Sequence, residues 1–130
     1  MICPRIIASL AALVSAAGGA AAPSSRVPVA IAIPVGHDAV SQEFDHELQA
    51  LLRADPQLRL ATATDRRTIV IGADQITTDK VKERSITIIV GYVRARDGER
   101  NIPIIRACPE NGINECARDF ILVARKLAAF

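Results

Sequence analysis

Asp97-Gly98 lies between two strand-like runs, and no other feature constrains the fold as tightly. The first run, Arg84 to Arg96, contains Ile86-Thr87-Ile88-Ile89-Val90, which is β-branched throughout. Such residues suit a pleated surface. The second run, Asn101 to Ala107, leads back. A two-residue type I′ turn needs positive φ at both central positions, and Asp-Gly is a favoured pair there. The spacing therefore predicts an antiparallel hairpin with Arg96 opposite Glu99 and Tyr92 opposite Pro103. Pro103 has no N–H to offer a further neighbour, so the return strand belongs at a sheet edge. Apolar residues on both faces of 84–96 give that strand a central position.

The remaining elements follow from periodicity. Val27, Val29, Ile31, Ile33 and Val35 alternate with Pro28, Ala30, Ala32 and Pro34, the pattern of a strand with one fully apolar face. Pro28 and Pro34 share parity, so their missing N–H groups fall on one edge of it. After a turn at Gly36-His37-Asp38, with Asp38 as N-cap, Val40, Phe44, Leu48, Leu51 and Leu52 recur at helical spacing. Asp55-Pro56 ends that helix, because the residue before proline disfavours helical geometry. Leu58 to Thr64 reads as a second strand, Asp65-Arg66-Arg67 as a polar break, and Thr68 to Ile76 as a third strand with a bulge or close contact at Gly72. Thr77 to Glu83 is charged and aperiodic and reads as a loop. A last helix carries Ile113, Cys116, Ala117, Phe120, Val123, Ala124 and Leu127 on one face, capped by Asn111 or Asn114.

The amino terminus stands apart. Arg5 precedes an apolar run, Ile6 to Val14, and Ser15 to Ala22 is nearly all Ala and Gly. This is the pattern of a secretory signal peptide over residues 1–22, with Gly18 and Ala20, or Gly19 and Ala21, as the small residues a cut requires. The competing reading is an uncleaved anchor, for which Ile6 to Ala22 is at the short limit. Cleavage would remove Cys3 and leave one domain, 23–130, of about 110 residues, with no stable membrane insertion. The chain's formal charge is +2. A balance this even predicts no strong electrostatic partner. One Tyr, three Phe and no basic run interleaved with aromatics exclude a nucleic-acid binder.

Cys108 and Cys116 are the only cysteines after the leader. In an exported chain two cysteines pair, so a disulfide is expected between them. A redox role would favour Cys-x-x-Cys, and zinc would need further soft ligands. His37 precedes the first helix and His46 lies about 13 Å along it, too far apart for a shared metal. No metal and no cofactor is expected. His37, in a strand-to-helix turn, is the candidate for a ligand contact. Gly-x-Ser-x-Gly, Ser-x-x-Lys, His-Glu-x-x-His and phosphate-loop motifs are absent, so no catalytic residue is assigned. Arg94, Arg96, Arg100 and Arg106 gather on the hairpin, either to grip an acidic partner or as a solvated row protecting the edge.

Together these readings predict one α+β two-layer sandwich, in the order β-α-β-β-β-β-α, with a mixed or antiparallel sheet and two helices on one face. The first two strands are expected to be parallel. The element order resembles that of small α/β modules of envelope assembly proteins, such as the amino-terminal domain of TolB; the likeness is in order alone and transfers no residue. The function expected is that of an exported, periplasmic or secreted, non-catalytic interaction module that binds another envelope protein, with strand addition at the open edge as its mode. The alternative is a small enzyme or ligand binder using loops near His37.

Overall fold

The structure, a computed structural model, describes residues 25–34 and 38–129. The expected leader, Val35, Gly36 and His37 lie outside the described residues. The elements are β1 (Val27–Ala32), α1 (Ala39–Ala54), β2 (Leu58–Leu60), β3 (Ile69–Val81), β4 (Arg84–Arg94), β5 (Asn101–Pro109) and α2 (Ile113–Ala128). They form one mixed sheet in the order β2-β1-β3-β4-β5. β1 runs parallel to both β2 and β3, while β3, β4 and β5 are antiparallel neighbours. The α+β class, the element order and the parallel pairing of the first two strands are as the sequence predicts.

Both helices cover one face. α1 buries Phe44, Leu48 and Leu52, and α2 buries Ile113, Cys116, Ala117, Phe120, Ile121, Ala124 and Leu127. They meet Val29, Ile69, Ile71, Ile89, Val93 and Ile104 of the sheet in one core. Phe44 and Phe120 join the two helices edge to face, with ring centroids 5.3 Å apart. Each of these rings is wholly buried, which favours the folded state by about 1.5–3 kcal/mol per ring. Asp38 caps α1 as expected, accepting from the Val40 N–H at 3.0 Å. Pro28 fits inside the sheet for a local reason. Val27 N donates to Gln57 O and Val29 O accepts from Ala61 N, so the alternate residue Pro28 faces β3. Pairing with β3 begins only at Val29 opposite Ile69, so no partner is deprived of a bond.

Several boundaries differ from expectation. Residues 77–81, read as loop, continue β3, which pairs with β4 down to Val81 opposite Arg84. Ile76 still packs against the core, but Thr77 to Val81 beyond it contribute no buried residue and no apolar alternation to reveal a strand. Lys82 and Glu83, at φ 52° and 66°, make the tight turn that ends it. The signature of positive φ at both central residues thus lies here and not at Asp97-Gly98. There only Gly98 has positive φ, at 77°. Gly98 N donates to Ala95 O and Ala95 N donates to Arg100 O, which closes a longer loop. Asp97 holds it by accepting from Glu99 N at 2.9 Å. The register is unchanged, and Tyr92 lies opposite Pro103. β2 stops at Leu60 instead of Thr64, because the Asp65 carboxylate takes the Thr62 N–H at 2.7 Å and turns the chain. α2 has Gly112 as its N-cap with no side-chain cap bond, so neither Asn111 nor Asn114 serves. The Gly112 N–H is already committed to Pro109 O in a turn that leads straight into the helix.

Candidate functional site

Among the described residues, the opposite face of the sheet carries no helix. On β4, Thr87, Ile89, Gly91 and Val93 are buried toward the core, so Ile86, Ile88, Val90 and Tyr92 point the other way. The register sets them opposite Pro109, Ala107, Ile105 and Pro103 of β5. The result is an apolar surface on which Ile105 is 65% exposed. Tyr92 lies flat across β3 at Gly72, where a Cβ would collide with its ring. That glycine is required by the close approach of the aromatic ring. Arg94 stacks on the same ring, 5.2 Å from its centroid.

β5 is one edge of the sheet. Its free hydrogen-bonding groups can be counted from the pairing. Ala95 with Arg100 and Ser85 with Glu110 exchange ladder bonds, so the even residues 102, 104, 106 and 108 face β4. The odd residues therefore turn their backbone outward. Two of these, Pro103 and Pro109, have no N–H, and Ile105 and Ala107 between them do. The open edge offers a short stretch of donors bounded by prolines, long enough for a brief strand addition and too short for indefinite stacking.

The structure divides the four hairpin arginines. Arg94 lies on the helix-free face, over Tyr92. Arg106 lies on the helix side, where its Nε donates to Asp119 of α2 at 3.1 Å. Arg100 is 3.9 Å from Asp97. Arg96 lies at the loop, next to arginines that sequence reading did not single out. Arg26, Arg59, Arg66, Arg67 and Arg96 line one open cleft of about 400 Å³ where β1 and β3 begin. Arg66 and Arg67 belong to a segment read as a polar break. The signal that could have found them is topological: β3 pairs Val70 with Arg94, which carries the residues before β3 to the loop after β4.

Within this cleft Arg59 and Asp65 form a two-point ion pair, both bonds at 2.8 Å. The Arg59 guanidinium holds the Asp65 carboxyl well below the usual carboxylate range, helped by the Thr62 N–H. The same bond raises Arg59 above its ordinary value. Asp97 is also lowered, chiefly by the Glu99 N–H. Arg26 donates through Nε to Leu58 O at 2.8 Å and through Nη2 to Leu52 O at 2.9 Å.

Cys108 and Cys116 are joined in a disulfide, with Cα atoms 6.0 Å apart. His46 is exposed on α1. Among the described residues no group of three or more His, Cys, Asp or Glu could hold a metal, and no helix is long and apolar enough to cross a membrane.

No family model matches the chain, and no curated protein matches it. Among solved structures it is similar to a minor lipoprotein from Acinetobacter baumannii, at 13% identity and a TM-score of 0.47, over 78% of this chain and 90% of that one. It is also similar to a PelC dodecamer chain from Paraburkholderia phytofirmans, at 15% identity and a TM-score of 0.47, over 84% and 89%. A third is lipoprotein B from Nitrosomonas europaea, at 10% identity and a TM-score of 0.40, over 80% and 76%.

Proposed function

We propose that the chain is an exported, non-catalytic interaction module of the cell envelope, which holds another envelope protein against the helix-free face of its sheet and the β5 edge. The observation that carries this reading is the apolar surface of Ile88, Val90, Tyr92 and Ile105 on a face over which no helix lies among the described residues. Apolar area of this kind supplies binding energy at about 25 cal/mol per Å² removed from water. The N–H groups of Ile105 and Ala107 add directional bonds beside it. Export and removal of residues 1–22 are part of the same reading, because the disulfide forms in an oxidising compartment.

Two variants test the docking surface separately. Ile105→Arg puts a charge in the apolar patch, and Ala107→Pro deletes one outward N–H without touching a bond to β4. Capture of a partner from the native envelope fraction should fall sharply with the first and measurably with the second, while both keep the parent circular dichroism spectrum. Undiminished capture by both variants would refute the assignment. Intact mass of the exported protein should show loss of the leader and two hydrogens fewer than the dithiol.

A further inference from the structure

The arginine cleft is a separate site on the same sheet. Its five arginines against Asp65 alone give a net +5 − 1 = +4, in a chain whose formal charge is only +2, so all the rest sums to −2. Among the described residues no carboxylate lies within ion-pair distance of Arg66, Arg67 or Arg96. Asp97 lines the adjoining pocket with Arg67 and Arg96 outside ion-pair distance of both, so among the described residues the cluster keeps a net positive charge.

The floor of the cleft is built. Arg59 is fixed by its two-point bond with Asp65, and Arg26 is fixed by carbonyls of α1 and β2. Their side-chain order is established by folding, so a ligand does not have to impose it. Asp65 is already engaged by Arg59 and Thr62 and does not neutralise the other arginines. Arg66 and Arg67 enter from the β2–β3 connection and Arg96 from the β4–β5 loop, so the exposed guanidiniums approach from two sides.

We propose that this cleft binds a ligand bearing two or more neighbouring phosphate groups, either a soluble diphosphate compound or the headgroups of an anionic phospholipid. Two phosphoryl groups of a soluble diphosphate bring about −3 to −4 near neutral pH, which matches the charge excess, and two phosphodiester headgroups bring about −2, which offsets half of it. A single carboxylate does neither. The guanidinium fork also meets phosphate oxygens with two parallel bonds, where an ammonium would offer a point charge. A volume of about 400 Å³ admits a small molecule or a headgroup of this size.

The test measures binding of inorganic pyrophosphate to the purified protein by titration calorimetry, and of vesicles of phosphatidylcholine with cardiolipin against phosphatidylcholine alone by co-sedimentation. Arg66→Ala/Arg67→Ala should weaken the interaction about tenfold or more. Lys80→Ala/Arg84→Ala removes the same charge at the far end of the sheet and should leave it within about twofold, since that charge lies beyond screening range. Pyrophosphate binding with no vesicle preference supports the soluble source, and vesicle binding alone supports the headgroup. Binding of neither, equal weakening by both double variants, or tighter binding of a poly-glutamate peptide than of pyrophosphate would each overturn the proposal. All four substituted residues are exposed, so the variants should fold as the parent does.

Discussion

Replacing Asp55 with Ala tests whether one buried carboxylate ties the two helices to β2. Its side chain is 1% exposed and accepts from both sides. Oδ1 takes the N–H groups of Gln57 at 2.8 Å and Leu58 at 2.9 Å, and Oδ2 takes Arg125 Nε of α2 at 2.7 Å. In the Ala variant the Leu58 N–H is left buried without a partner, a loss of about 1–3 kcal/mol. Gln57 is exposed and its N–H turns to water at little cost. Arg125 is 41% exposed, so its share is discounted to about 1 kcal/mol or less. The expected sum is about 1–4 kcal/mol, read by urea unfolding followed by far-ultraviolet circular dichroism with an unchanged m-value. Asp55→Asn keeps an oxygen for the two backbone donors but turns its NH2 toward the half-exposed Arg125, which loses its acceptor, so it should cost less than Ala, about 1 kcal/mol. A loss under about 1 kcal/mol for Ala, or equal losses for Asn and Ala, would refute the backbone-capping role.

Three further outcomes are expected. Cys116→Ala opens a nine-residue loop, worth roughly 2.6 kcal/mol of chain entropy, and should lower the melting temperature by about 10 °C; an unchanged melt would contradict that account. Gly72→Ala should destabilise by about 1–3 kcal/mol through the Tyr92 ring, and Tyr92→Ala in that background should cost less than it does alone; strict additivity would dismiss the contact. Asp65 has its folded value lowered from 3.8, so its contribution is present above that value and is lost as pH falls through it toward the lower folded one. Stability of the parent should therefore fall more steeply than that of Asp65→Asn below about pH 4, and parallel acid curves would remove the ion pair from consideration.

What the sequence disclosed followed where the core lies. The stripes of α1 and α2 rest on residues whose apolar side meets a buried layer, and burial imposes a period; the hairpin register was legible from the Asp97-Gly98 spacing and the edge position of β5 from the N–H that Pro103 lacks. Thr77 to Val81 bury no residue, so Thr77, Thr78, Asp79 and Lys80 give no alternation although they pair in full with β4. The turn at Lys82-Glu83 was hidden for a related reason: neither residue is Gly, Asn or Asp, and the long ladders on both sides hold their positive φ. The arginine cleft was invisible along the chain because its members come from four separate segments. Only the order β2-β1-β3-β4 brings Arg59, Arg66, Arg67 and Arg96 to one end. The hairpin arginines were legible as neighbours in sequence, but a strand sends adjacent residues to opposite faces, and Arg94 and Arg106 part accordingly.

An edge strand can receive a partner only if it does not fray, and β5 has just one strand beside it. Two links on the helix side compensate. The disulfide fixes Cys108 to Cys116, and Arg106 reaches Asp119 one turn further along α2. Both are made by even-numbered β5 residues, which face β4 with their backbone and α2 with their side chains. The odd residues Ile105 and Ala107 turn their N–H groups and side chains to the other side, while the Ile105 carbonyl accepts from Arg106 Nη1 at 3.0 Å. One strand is thus anchored through half its residues and offered through the other half. The staple that reads as a stability device in so small a domain also holds in place the surface on which docking would depend.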